Sequence, residues 1–172
     1  MKKMMTVVIL ALLTLSGCNE SDWLSFSTYE GGFSIEAPDN FQEKNVVVKS
    51  IIGPLKFKIY LLEMGQAVYL VGYSDYPDSI IEVKTPDELL QFAAEGAIKN
   101  LKGEVKKDTE ISLGKHPGRE VVIVIPKVED EHRLRLYLVG KRLYQLSVFI
   151  PEGQVVEADP ERFFNSFRLL GD

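Results

Sequence analysis

Few side chains in this chain could do chemistry. Cys18 is the only cysteine in 172 residues, so no disulfide framework is available within the chain. There are two histidines. His116 sits in Lys-His-Pro-Gly and His132 at a strand start, and each reads as a solvated turn residue rather than a base. No Gly-x-Ser-x-Gly elbow accompanies them. Glu129-Asp130-Glu131-His132 carries oxygen and nitrogen donors. Neighbours on an extended chain point to opposite sides, so they converge poorly on one ion and read as a charged hairpin loop. Asp75 and Asp78 flank Tyr76-Pro77, but a calcium site asks for about six or more oxygens. No glycine-rich phosphate loop is present, and no cofactor is expected. Arg119, Arg133 and Arg135 form a small basic stripe. Arg133 and Arg135 share one strand face, opposite Leu134 and Leu136, and are a candidate binding surface for a carboxylate or a lipid headgroup. Carboxylates of the same sheet are the simpler partners. Tyr60, Tyr69, Tyr73, Tyr76, Tyr137 and Tyr144 could form a binding face, or fill gaps between sheet and helices.

The N-terminus reads as an address. Lys2 and Lys3 precede an apolar run, Met4 to Leu15, and then come the small residues Ser16 and Gly17. That is the layout of a secretory signal peptide. The run is too short for a spanning helix, which needs about 20 residues. Leu15-Ser16-Gly17-Cys18 resembles the bacterial lipobox. The resemblance implies cleavage between Gly17 and Cys18, a diacylglycerol thioether on Cys18, and an acylated new N-terminus carrying chains such as palmitate. With Cys18 acylated, no thiol chemistry would be available within the chain. Asn19, where an Asp would signal retention, resembles the pattern of outer-membrane sorting in two-membrane bacteria.

The expected organisation is a lipoprotein signal peptide over 1–17, a short tether over 18–25 and a single α+β domain over 26–172. Loss of Lys2 and Lys3 takes the formal charge from −5 to −7, and nucleic acid would need a basic face. Trp23, the only tryptophan, either dips into the membrane interface or packs at the start of the first strand.

Which elements would position these residues? Phe26 to Tyr29, Glu30-Gly31-Gly32 and Phe33 to Ala37 read as a hairpin, with Phe33 and Ile35 on one face. Asn45 to Ile52 and Leu55 to Glu63 read as strands around Gly53-Pro54; in the second, alternation predicts one buried face. Ala67 to Tyr73 continues the meander. Thr85-Pro86-Asp87-Glu88 is a capping box opening a helix that runs to Leu101, with Gly103 as its stop. Glu104 to Leu113 reads as an edge strand, Gly114 to Gly118 as a turn, and Arg119 to Ile125 as a strand buried on both faces. A hairpin over His132 to Ile150 and a short helix after Asp159-Pro160 complete the order. The predicted fold is an antiparallel sheet of about 7–9 strands covered by one long helix, about 86–101, and a short C-terminal helix, about 160–166.

This order resembles the PsbP-like fold, shared by PsbP subunits of photosystem II and the Mog-type nuclear-import factor. The landmarks are Gly32-Phe33-Ser34-Ile35-Glu36-Ala37-Pro38, Pro117-Gly118-Arg119-Glu120, the hairpin Leu136 to Val148, and Phe163-Phe164-Asn165-Ser166-Phe167-Arg168. The resemblance implies an α/β/α sandwich acting as a binding or assembly module, and it carries no catalytic residues over. Features specific to the photosystem members are not found. The expectation is a lipid-anchored, non-enzymatic protein of the cell envelope with an unknown protein partner. It would sit at the outer membrane or periplasmic side in a two-membrane organism, and otherwise on the outer face of the cell membrane. The alternatives are a small-ligand carrier with a pocket between sheet and helices, and a hydrolase with an unrecognised site.

Overall fold

The computed structural model describes residues 23–50, 52–126, 130–151 and 159–171. The Leu15–Cys18 stretch, the tether up to residue 22, and Glu129 of the acidic loop lie outside the described residues.

The chain is an α+β fold dominated by antiparallel strands. β1 (Leu24–Thr28) and β2 (Phe33–Ala37) form a hairpin, and β10 (Arg168–Leu169) pairs with the other edge of β2. The larger sheet has seven strands. In chain order they are β3 (Gln42–Ser50), β4 (Gly53–Met64), β5 (Ala67–Asp75), β6 (Glu104–Leu113), β7 (His116–Ile125), β8 (Asp130–Val139) and β9 (Arg142–Ile150). They lie side by side as β3-β4-β5-β9-β8-β7-β6, every neighbour antiparallel. The helices are α1 (Asp78–Ile81), α2 (Pro86–Leu101) and α3 (Pro160–Ser166). The expected single sheet is thus two sheets, and α1 is an additional helix. The first hairpin leaves the meander because Phe33 and Ile35 bury their face on the larger sheet instead of extending it.

Helix α2 begins where its capping box dictates. The Glu88 N–H donates to Thr85 Oγ1 at 3.3 Å, and the Thr85 N–H donates to Glu88 Oε2 at 2.8 Å. At its end the left-handed residue is Lys102, with φ of 53°, not Gly103. Gly103 serves a different need: a Cβ there would meet Ile123 and the Val124 carbonyl.

Period two divides the core between the two faces of the large sheet. Leu55, Phe57, Val121, Ile123, Leu134, Leu136, Leu138 and Leu143 pack toward Leu89, Leu90 and Ala94 of α2. Tyr60, Leu62, Tyr69, Val71, Tyr73, Tyr137, Tyr144, Leu146 and Val148 pack toward the small sheet and α3. Strand β4 therefore has two buried faces in succession, Leu55 and Phe57 on the helix side, then Tyr60 and Leu62 on the other. The predicted single buried face fails because the two covering layers lie over different ends of this long strand. Strand β7 also starts earlier than expected: Gly118 lies inside it, because a Cβ there would meet the Leu136 carbonyl oxygen at 2.6 Å.

Candidate functional site

Strand β8 presents Arg133 and Arg135 on the small-sheet side, where α3 crosses the sheet. The register puts Arg135 directly opposite Glu120 of β7. Arg135 Nε donates to Glu120 Oε2 at 2.6 Å, its Nη1 to Asn165 Oδ1 at 3.0 Å and its Nη2 to Glu161 Oε2 at 3.3 Å. Arg133 Nη2 donates to Glu161 Oε1 at 2.6 Å. Lys107 on the edge strand reaches the other oxygen of Glu120 at 2.8 Å. Both guanidinium groups lie over the Phe164 ring, 5.4 Å and 4.8 Å from its centre. Glu120 is only 6% exposed. Burial alone would push its carboxyl up, but hydrogen bonds from Lys107 and Arg135 outweigh that and hold it below the usual glutamate value.

Glu161 and Asn165 are one helical turn apart on α3, so one face of that helix holds both arginines. The network fastens α3 to the sheet. To bind an external carboxylate, either arginine must first give up Glu161, the most exposed carboxylate of the set. Beside the network lies an open groove of about 300 Å³ lined by Ile111, Leu113, Tyr137, Phe167 and Arg168. A second open cleft of about 650 Å³ lies at the far end of the sheet, between Glu104, Lys106, Glu131 and Ile150.

The other sequence candidates are also committed within the chain. Asp75 takes both ends of Arg142, at 2.6 Å and 2.8 Å, and these hydrogen bonds hold its carboxyl below the usual range. Asp78 pairs with Lys141 at 2.8 Å. Arg119 is bidentate on Asp108 and lies 3.6 Å from Asp87 of α2. The six tyrosines singled out in the sequence are all buried. Five fill the space under the small sheet, and Tyr76 packs with the helices. Trp23 packs edge-on against Tyr69 at 6.1 Å, with the Arg162 guanidinium 5.0 Å from its ring.

His132 is not a solvated turn residue. It lies within β8 on the helix side, and its Nε2 is 2.8 Å from Ser147 Oγ. Burial pushes the imidazole down to about 4, so the ring is neutral at ordinary pH. Its Nδ1 is buried without a hydrogen-bond partner among the described residues. A base that activates a serine is normally oriented by a third group on that nitrogen, and Ser147 itself is only 4% exposed. The pair is built as a polar strut between β8 and β9. Parity alone could have placed it, since His132 shares its face with Leu134 and Leu136. The register partner Glu120 and the α3 partners Glu161 and Asn165 carried no such signal, because nothing local specifies which strands and helices meet.

Among the described residues, no group of three or more His, Cys, Asp or Glu side chains could hold a metal ion. Among the same residues, no helix is long and apolar enough to cross a membrane. The chain matches no protein-family model, and no match to it is found among curated proteins.

Proposed function

We propose that this chain is a lipid-anchored, non-enzymatic protein of the cell envelope, a protein-binding or assembly module held at the membrane surface through Cys18. The observation that carries the reading is the shortness of the link between that thiol and the folded domain. Trp23 is already fastened to Tyr69 and Arg162. Four residues, Asn19 to Asp22, lie between it and Cys18, so the five steps reach at most about 18 Å even when fully extended. Acyl chains on Cys18 would keep the Trp23 side of the domain next to the bilayer, each buried methylene contributing about 0.8 kcal/mol. That side carries the small sheet and α3, so the α2 side is left facing away from the membrane.

We also read the layering as PsbP-like. Its support is α2 on one side of a broad antiparallel sheet and, on the other, the N-terminal hairpin with the terminal Phe-x-x-Phe-Arg-Leu segment.

The test is incorporation of an alkyne-bearing fatty acid into the wild type and Cys18→Ala, with the processed mass read alongside. Labelled, processed wild type and unlabelled variant are expected. Equal labelling of both, or an unlabelled wild type, would overturn the anchor. Cross-linking in intact cells is expected to capture a defined partner.

A further inference from the structure

We propose that the outer edge of β3 is a self-association surface. Two copies of this chain join antiparallel through β3, centred on Val46, and merge their seven-stranded sheets into one. This does not rest on the lipid anchor.

A strand edge presents unpaired N–H and C=O groups, and chains blunt such edges with bulges, lysines and charge. The large sheet has two edges, β3 and β6, and they are treated differently. On β6 the register slips between Val105 and Lys107, leaving Lys106 as a bulged residue. Lys106, Lys107, Asp108 and Glu110 crowd that strand. Lys106 and Lys107 also reach back across the sheet to Glu131 and Glu120. Strand β3 is regular over all nine residues, each paired in unbroken register with β4. Its middle, Asn45-Val46-Val47-Val48, has no charge, and Val47 is 64% exposed.

The charges that flank this middle make it self-complementary, with Glu43 also lying 3.2 Å from Lys58 of β4 on the same face. Placing Val46 opposite Val46 of a second copy puts Asn45 opposite Val47, and Glu43 opposite Lys49. The two-fold axis repeats each pairing, so two opposite-charge pairs form on one sheet face. Outward-pointing residues of an edge strand can face only outward-pointing residues of the next strand, so the register can slide only in steps that keep this parity. Centring the pair on Glu43, Lys44 or Lys49 would place like charges face to face. The Val46-centred register is the one that sets Glu43 against Lys49. A two-fold axis of this kind runs perpendicular to the sheet. It keeps the Trp23 side of both copies on one side of the joined sheet, so both Cys18 residues can reach one membrane.

The experiment measures the sedimentation of the full chain in mild detergent for four proteins: wild type, Glu43→Lys, Lys49→Glu and the double exchange. Either single change converts both attractive pairs to repulsive ones, and dimerisation is expected to weaken at least about tenfold. The double exchange restores opposite charges and is expected to restore the dimer. Circular dichroism checks that the single variants remain folded. As a second readout, Val46→Cys is expected to form a disulfide-linked dimer under mild oxidation, whereas Thr109→Cys on β6 is not. The proposal is overturned by a wild type that is monomeric throughout, which would leave β3 as an edge for a different protein. It is equally overturned by single variants that dimerise like the wild type, by a double exchange that fails to restore the dimer, or by Val46→Cys chains that do not link.

Discussion

On the α2 side of the large sheet, leucine, isoleucine and valine side chains from β7, β8 and β9 meet the alanines and leucines of one helix. On the other side, tyrosine and phenylalanine rings meet a hairpin and a seven-residue helix, and charged groups cross the same boundary. The sheet is shared, yet its two coverings are built from different chemistry. An alanine-bearing helix can approach closely, so aliphatic side chains fill the gap. The small sheet and α3 are a patchwork of short pieces. Large rings span the irregular space between them, and guanidinium groups close its margin by stacking on Phe164.

The largest expected effect separates the two coverings directly. Phe33 is fully buried and lies against the rings of Phe26, Tyr60, Tyr73, Tyr144 and Phe167. Phe33→Ala is expected to lose about 4 kcal/mol, and Leu134→Ala, fully buried on the helix side, about 3 kcal/mol. Denaturant unfolding of both variants measures this. A Phe33→Ala cost below that of Leu134→Ala would mean that the short pieces collapse around the cavity, and that the ring cluster is less rigid than the aliphatic core.

A smaller effect probes a titratable group set into the aliphatic side. His132 resists protonation when folded, titrating near 4 instead of 6.5. Between those values the unfolded chain binds the proton and the folded chain does not. Stability is therefore lost as pH falls from about 6.5 toward 4 and is fully retained above that window. The loss from this group between pH 6.5 and 4.5 is about 2 kcal/mol. His132→Gln keeps a polar group beside Ser147 without a titrating ring, and should flatten the curve by that amount. Unfolding curves at the two pH values decide it. Parallel losses in wild type and variant would assign the acid sensitivity to the carboxylates instead.

The sequence carried much of this contrast locally and little of it globally. The capping box at Thr85, the paired glycines before Phe33 and the alternation of Arg133 and Arg135 with Leu134 and Leu136 in β8 are short-range signals, and each specifies its element whatever lies above it. What covers each face is a long-range matter. The pairing of Arg135 with Glu120 depends on register between strands, and its contact with Asn165 depends on where α3 comes to rest, 30 residues further along. The departure of the first hairpin from the meander was illegible for the same reason: its local pattern fits an added strand as well as a covering layer. His132 was misread by treating the strand start as a turn, although its parity with Leu134 already placed it inside.

The smallest effect concerns hydroxyl groups within the ring cluster. Tyr144 donates to the Gly31 carbonyl at 2.7 Å, locking the hairpin turn to β9. The Tyr69 hydroxyl is buried with no hydrogen-bond partner among the described residues, and burial, with the charge of Asp159, pushes its titration up to about 12. A satisfied buried hydroxyl contributes about 1 kcal/mol, whereas an unsatisfied one costs its desolvation. Tyr144→Phe is therefore expected to lose about 1 kcal/mol, and Tyr69→Phe to lose nothing or gain up to about 1 kcal/mol. Thermal unfolding of the pair reads the difference with the rings themselves unchanged. Equal losses would show that Tyr69 has found a partner, and would leave Tyr73 as the unmet hydroxyl of the ring cluster among the described residues.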